Sequence, residues 1–303
     1  MITDNHWHVD GIAPDHESGP ALLALIALGV LLVRGTRWRH GGDTQPDRER
    51  RAGQVVTASF SLLFGHPRLL GPIVVVVGLA TAGALALQRL ALRSRPTGDL
   101  TDVHGLTASP LAIVIVVLAS LALAPVVAIA LAATSRVIEG IARDHRVSGW
   151  SAIALAVRWP SGALVQLLLF VVVTLLASSL VGLPIALLFI AFWAVAMPAA
   201  GIERRGVWSA LRRSAQLTKG RRWRAVFLSA LLVWIGFSLP GALGGLLLLL
   251  TGWPFWLTNL VSIALGAILL PFSAIGLTLQ YYDFRQEERR DLEHAPTPRP
   301  PDS

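Results

Sequence analysis

Residues 163–197 read ALVQLLLFVVVTLLASSLVGLPIALLFIAFWAVAM, without a single Asp, Glu, Lys, Arg or His. A run this long and apolar is about twice what one α-helix needs to cross a hydrocarbon layer roughly 30 Å thick. Gly182, Leu183 and Pro184 sit near its middle, where a helix breaker lets the chain turn back. The stretch therefore predicts a hairpin of two spans, Ala163 to Leu180 and Val181 to Met197.

Working outward, uncharged stretches recur at Ala21 to Val33, Leu69 to Gln88, Pro110 to Thr134, Ala225 to Leu250 and Phe255 to Tyr281. Together with the hairpin they predict an all-α fold, a polytopic transmembrane helical bundle of about seven spans. Composition points the same way: 54% of the 303 residues are hydrophobic and 15% are charged, against roughly a quarter charged in a soluble domain. The first stretch is short, covering about 20 Å at 1.5 Å per residue. Its place among the spans is decided by the charges.

Lys and Arg number 26, giving a formal net charge of +8. Seven lie in residues 34–68, four in 135–160, eight in 202–224 and four from 282 onward, whereas the intervening loops hold only Arg89, Arg93 and Arg95. Cytoplasmic loops retain positive charge, so this asymmetry puts the N-terminus outside and the C-terminus inside the cell membrane. That parity requires an odd number of spans and therefore includes the short first one. Residues 1–20 carry Asp4, Asp10, Asp15 and Glu17 but no Lys or Arg, unlike the basic start of a signal peptide, so the first span is read as an uncleaved anchor. The organisation that follows is an extracytoplasmic polar tail (1–20), a short transmembrane anchor (21–33), an Arg-rich cytoplasmic linker (34–54), a six-span membrane domain (55–282) and a disordered cytoplasmic tail (283–303). The basic excess is explained by topology and by attraction to anionic headgroups on the cytoplasmic side, and no nucleic-acid motif competes with that reading.

Inside the six-span domain a unit recurs three times: a short amphipathic stretch, a helix breaker with Arg nearby, then a hairpin. In the first, Val56, Phe60 and Leu63 share a helical face ahead of Gly65, His66, Pro67 and Arg68. In the second, Trp150, Ile153, Ala154 and Val157 do so ahead of Arg158, Trp159 and Pro160. In the third, Val207, Trp208, Leu211 and Ala215 line one side, and Ser209, Arg212, Arg213 and Gln216 the other. Such segments suit the headgroup plane, with Arg reaching phosphate. Candidate headgroup contacts are Arg212, Arg213, Lys219, Arg221, Arg222, Trp223 and Arg224.

The run Ser209–Arg224, SALRRSAQLTKGRRWR, and the ending Tyr281-Tyr-Asp-Phe-Arg285 with Glu287, Glu288, Asp291, Leu292 and Glu293 after it, resemble the membrane domain associated with some glycerophosphodiester phosphodiesterases and its stand-alone prokaryotic relatives. The resemblance covers roughly residues 55–293. In that family the hydrolytic chemistry belongs to a separate soluble domain, so what the resemblance implies is a membrane module without phosphodiesterase activity.

The search for chemistry is informative by what it excludes. No Asp, Glu, His, Lys or Arg falls within any predicted span, whereas pumps, ion-coupled carriers and intramembrane proteases place ionisable groups at depth. No cysteine is present, and no metalloprotease, P-loop, dinucleotide or nucleophile-elbow motif is found. The intramembrane polar groups that stand out are Gln166 and Asn259, whose reading is hydrogen bonding between helices or contact with a substrate. Asp4, His6, His8 and Asp10 alternate along an extended tail and are the only candidate metal ligands, weak ones in a polar terminus; Asp99, Asp102 and His104 share a loop that fixes no geometry. Gly241 and Gly245, and Gly78 with Ala82, suggest close helix packing within the chain or in a homo-oligomer. Pro125, Pro184, Pro198, Pro240 and Pro271 predict kinks or breaks. The function expected is that of a non-enzymatic membrane module without cofactors, contacting lipid or scaffolding a protein partner through its Arg-rich interfacial helix. The alternative is a channel or carrier for a neutral or amphiphilic small molecule.

Overall fold

The computed structural model describes residues 52–93, 110–145, 147–177, 182–193, 195–251, 253 and 255–293. The N-terminal tail, the 21–33 anchor, nearly all of the 34–54 linker and the loop with Asp99, Asp102 and His104 lie outside these residues. The described residues are helical throughout, with no strand among them. They form α1 (Ala52–Gly65), α2 (Pro67–Arg93), α3 (Pro110–Ala142), α4 (Gly149–Arg158), α5 (Ser161–Ala177), α6 (Gly182–Trp193), α7 (Ala196–Ile202), α8 (Val207–Leu217), α9 (Arg222–Val233), a π-helical turn (Trp234–Ser238), α10 (Leu239–Thr251) and α11 (Phe255–Glu293).

Four helices are long and apolar enough to cross a membrane: Pro67–Leu87, Ala122–Ala142, Arg222–Thr251 and Trp256–Glu293. A fifth is obtained if α4 and α5, which meet at 76° across Trp159 and Pro160, count as one broken span. The chain is therefore compatible with an integral membrane protein. The second half of the 163–197 run departs from the predicted single span. There α6 has 12 residues and reaches only about 18 Å. It stops at Trp193, and α7 starts at Ala196 with every one of its residues buried. A broken helix frees backbone groups that no lipid can satisfy. Ser214 of α8 meets them here, its hydroxyl donating to the Phe192 carbonyl at 2.9 Å and accepting the Val195 amide at 3.3 Å.

The prolines divide: three of the five border an interruption and two do not. Pro125 and Pro271 lie inside continuous helices, and Pro184 and Pro198 each take the third position of a helix, where a missing N–H leaves no internal bond unmade. The helices that hold Pro184 and Pro198 each begin just after another has ended, and Pro240 follows the π-helical turn by two residues.

The core is organised on α11, which packs against α1, α2, α3, the π-helical turn and α10. From Leu269 to Phe284 this helix is buried on all sides, as a helix apolar all round should be. Its few polar groups are paired: Thr278 with Ser135 of α3 at 2.9 Å, and Gln280 with the Ser229 hydroxyl at 3.0 Å and the Ala225 carbonyl at 3.3 Å. Close approach on this helix falls to glycines other than the predicted pair. A side chain at Gly236 or Gly244 would collide with Ser273 or Ser262 of α11, whereas nothing lies within 4 Å of a Cβ placed at Gly241 or Gly245. Gly78 does meet a neighbour, Ala267, at ordinary contact distance. α11 also overturns a boundary: residues 283–293, predicted to begin a disordered tail, are its last turns. Residues 294–303 lie outside the described set.

The short helices share a feature that periodicity alone misassigns. In α4 the protein side is made of Gly149, Ala152 and Ala156, while Trp150, Leu155, Val157 and Trp159 are exposed. In α8 the buried side is Ala210, Leu211, Ser214 and Leu217, so Leu211 faces inward while Trp208 faces out. Small residues permit close docking and leave large apolar side chains outside.

Candidate functional site

Glu203 in the turn after α7, Arg213 of α8, Arg221 and Arg224 at the start of α9 and the last turns of α11 meet at one end of the bundle, joined by the end of α3, whose Arg136 lies beside Arg204 and which leads into α4. Nearly all described charges are there. α11 presents Asp283, Glu287 and Asp291 at i, i+4 and i+8, one above another on one face, with Glu288 beside them. Arg224 lies 3.6 Å from Asp283 Oδ2 and also pairs with Glu287. Arg221 pairs with Glu287 and donates to Asp291 at 2.6 Å. Arg213 grips Glu288 with both terminal nitrogens, each 2.6 Å from one carboxylate oxygen, the bidentate geometry suited to guanidinium.

Glu203, in the turn after α7, completes the network. It accepts the Tyr281 hydroxyl at 2.6 Å and Arg213 Nε at 3.3 Å, and it pairs with Arg205. Burial pushes this carboxyl up, but the hydrogen bonds from Tyr281 and Arg205 and the charge of Arg213 outweigh it and hold the group below the usual carboxylate range. The hydrogen bonds to Glu288 raise Arg213 above the ordinary arginine value despite its burial.

This network divides the seven predicted headgroup contacts. Arg213, Arg221 and Arg224 are committed to carboxylates of the same chain. Arg212, Lys219 and Trp223 are exposed, and Arg222 is exposed with its guanidinium 4.3 Å over the Phe192 ring. Trp223 and Trp208 are 87% and 79% exposed, and Trp150, Trp159 and Arg158 lie open on α4. Gly220, three residues after α8 ends at Leu217, has a φ of 81°, the left-handed conformation that lets the chain turn into α9. The acids were named from sequence only as part of the resembling C-terminal motif, not as partners of these arginines, although the four-residue spacing of Asp283, Glu287 and Asp291 was a signal that could have paired them. Charged groups just beyond the predicted spans are nonetheless buried: Asp283 is 1% exposed, and Arg136 and Glu287 are 9% exposed. All three sit toward the charged end of their helices, where neighbouring opposite charges lower the cost of burial.

The second site is uncharged. Gln166 and Asn259, far apart in sequence, line one cavity of about 420 Å³ between α2, α3, α5, the π-helical turn, α10 and α11. Val77, Leu85, Val127, Phe170, Ile263 and Leu270 supply much of its apolar wall. Thr81 and Ser262 also reach it, but their hydroxyls donate to carbonyls of their own helices, Val77 at 2.8 Å and Thr258 at 3.0 Å. None of the described residues that line the cavity is charged. Among the described residues no group of three or more His, Asp and Glu is arranged to hold a metal ion, and the tail with Asp4, His6, His8 and Asp10 lies outside them. Compared with known proteins, the chain matches no family model, no curated protein and no solved structure.

Proposed function

We propose that this protein is a non-enzymatic, seven-span module of the cell membrane that engages anionic lipid at the cytoplasmic leaflet, with its N-terminus outside, its C-terminus inside and the charged end as its cytoplasmic face. The three units of interfacial helix and hairpin belong to this reading, as does the resemblance to the membrane domain associated with glycerophosphodiester phosphodiesterases. The observation that carries it is the sorting of charge at that end. Four acids of α11 are paired with Arg213, Arg221 and Arg224, while Arg158, Arg212, Lys219 and Arg222 stay exposed beside Trp150, Trp159, Trp208 and Trp223. Tryptophan favours the interface between hydrocarbon and headgroups, and basic residues there attract anionic lipid by about 1 kcal/mol each. The near-perpendicular setting of α4 on α5 suits a helix lying in the membrane plane.

The test is lipid selectivity of the purified protein in vesicles containing phosphatidylglycerol and phosphatidylcholine. Brominated versions of each lipid quench tryptophan fluorescence on contact. Replacing Arg158, Arg212, Lys219 and Arg222 together by Gln is expected to abolish the preference for brominated phosphatidylglycerol. An unchanged preference overturns the headgroup reading. A second reading, a channel or carrier for a neutral or amphiphilic molecule, is favoured by the cavity that Gln166 and Asn259 line.

A further inference from the structure

The cavity has the size of a ligand site, within the roughly 300–1,000 Å³ of small-molecule pockets, and nothing that lines it can carry charge. A charged solute would have to give up its hydration to hydrocarbon walls, at a penalty of several kcal/mol. A neutral guest would not.

Two features of the wall ask for a partner. The Gln166 amide makes no hydrogen bond to any described residue, although it sits midway along an apolar helix facing the cavity. Thr81 and Ser262 are satisfied within their own helices, so Gln166 is the group left to bond a guest. The other feature is backbone. Leu239 bonds back five residues to the Trp234 carbonyl, and Pro240 has no N–H to offer the Gly236 carbonyl. Gly236 and Pro240 both line the cavity. In hydrocarbon each unmet polar group is expensive, so a wall of this kind calls for a guest that carries hydrogen-bonding atoms as well as an apolar body.

The mouth says where the guest comes from. Phe170 and Phe237 are lining residues, yet each is more than a third exposed, and both lie toward the middle of their helical segments rather than at a loop. The cavity therefore opens sideways through the flank of the bundle, and at that height the flank of a membrane-embedded protein meets lipid chains. We infer that this cavity holds a neutral, chain-bearing lipid, its hydrocarbon lying between α2, α3, α5 and α10 and its uncharged oxygen hydrogen-bonded to the Gln166 amide. The inference rests on the membrane-embedded placement proposed above and is independent of headgroup binding at the charged end. Two sources supply such chemistry, acyl esters of glycerol and long prenyl alcohols.

The experiment uses the full chain in detergent micelles with a trace of a diazirine lipid, photoreactive at mid-chain and offered in both an acyl-ester and a prenyl-alcohol form. Labelled peptides are expected to fall on the cavity wall, in residues 77–85, 166–170 and 259–270. Gly241 provides the control substitution, since it lines the cavity and a Cβ added there would have nothing within 4 Å. Gly241→Phe is expected to fill the space and remove the label without loss of thermal stability. Gly245→Phe, equally open but outside the lining, is expected to keep it. Gln166→Leu should weaken labelling roughly three- to thirtyfold, the range for one hydrogen bond in a membrane interior. Competition by excess unlabelled diacylglycerol or unlabelled prenol identifies the source. Label spread over the outer faces, label that survives Gly241→Phe, or label that neither competitor displaces overturns the inference. So does rapid reaction of a Ser262→Cys variant with a water-soluble, membrane-impermeant thiol reagent, a clean readout in a chain without cysteine, because it would make the space an aqueous path. Resistance of the protein to alkaline extraction from membranes tests the placement separately.

Discussion

The two halves of α11 solve the same problem in opposite ways. From Ser273 to Asp291 it carries many polar groups, and its neighbours answer most of them: Ser273 with the Leu232 carbonyl at 2.5 Å, Thr278 with Ser135, Gln280 with Ser229, and the acids with three arginines, though the buried Gln286 Oε1 is left without a hydrogen bond. From Asn259 to Leu270 the neighbours are small or kinked, and the packing leaves a void. One half is closed by its own chain. The other has room for a guest. A protein that binds lipid at both ends would need both designs, because a headgroup site must leave some cations outside the internal network and a chain site must leave space inside the bundle.

The largest expected effect comes from opening the closed half. Arg224→Leu would strip the nearest cation from Asp283, which is 1% exposed, and one of two from Glu287. Removing one member of a buried pair costs about 3–5 kcal/mol, mostly through the charge left behind. Reversible denaturation in detergent should register that loss, and adding Asp283→Asn should recover much of it. A loss under about 1 kcal/mol, the range of exposed pairs, would erase the contrast between the halves.

The next effect sharpens the contrast within the open half. Gly244 abuts the Ser262 hydroxyl of α11, so Gly244→Ala forces that hydroxyl out of its rotamer and its bond to the Thr258 carbonyl and should cost about 1 kcal/mol. Gly241→Ala, three residues earlier and facing open space, should leave the unfolding midpoint nearly unchanged. Equal effects at the two positions would mean that the void closes up in solution.

That pair also shows where sequence reading runs out. The spacing of Gly241 and Gly245 matches a small-residue packing motif, but rotation about the helix axis decides which glycine meets a neighbour, and the π-helical turn at 234–238 resets that rotation. The apolar runs were legible because burial in a bilayer demands them span by span. The break between α6 and α7 was legible only in part: Pro198 signals an interruption four residues earlier, but the group that supports it is Ser214, a hydroxyl on another helix. Gln166 and Asn259 were visible as polar groups at depth; that they share a cavity depends on the fold. The headgroup contacts were misread for the same reason, because Arg213 and Arg212 look alike until Glu288 is brought against one of them.

A similar effect is carried by pH. Glu203 is held below the usual carboxylate range, so its contribution to stability is complete above the ordinary value and is lost as pH falls through the depressed one. Tyr281→Phe removes one of the hydrogen bonds that depress it and should cost about 1 kcal/mol near neutrality. The same change should move the acid limb of the unfolding curve to higher pH, toward the ordinary carboxylate value. Glu203→Gln should flatten this limb, and an unaltered limb would show that Glu203 does not titrate with folding.

The smallest effect tests the exposed cations themselves. Arg212 and Lys219 are exposed and form no ion pair with any described residue, so Gln at both should change stability by less than about 0.5 kcal/mol. What these two residues do must then be sought outside the chain, in the preference for anionic lipid and in its weakening by salt, since attraction at a charged surface is screened within about 10 Å at 0.1 M ionic strength. A stability loss as large as that of Arg224→Leu would place Arg212 and Lys219 inside the network and leave too few free cations for a headgroup site. The difference between Arg212 and Arg213, neighbours on one helix turned to opposite fates, is therefore the narrowest measurement on which the division of this molecule depends.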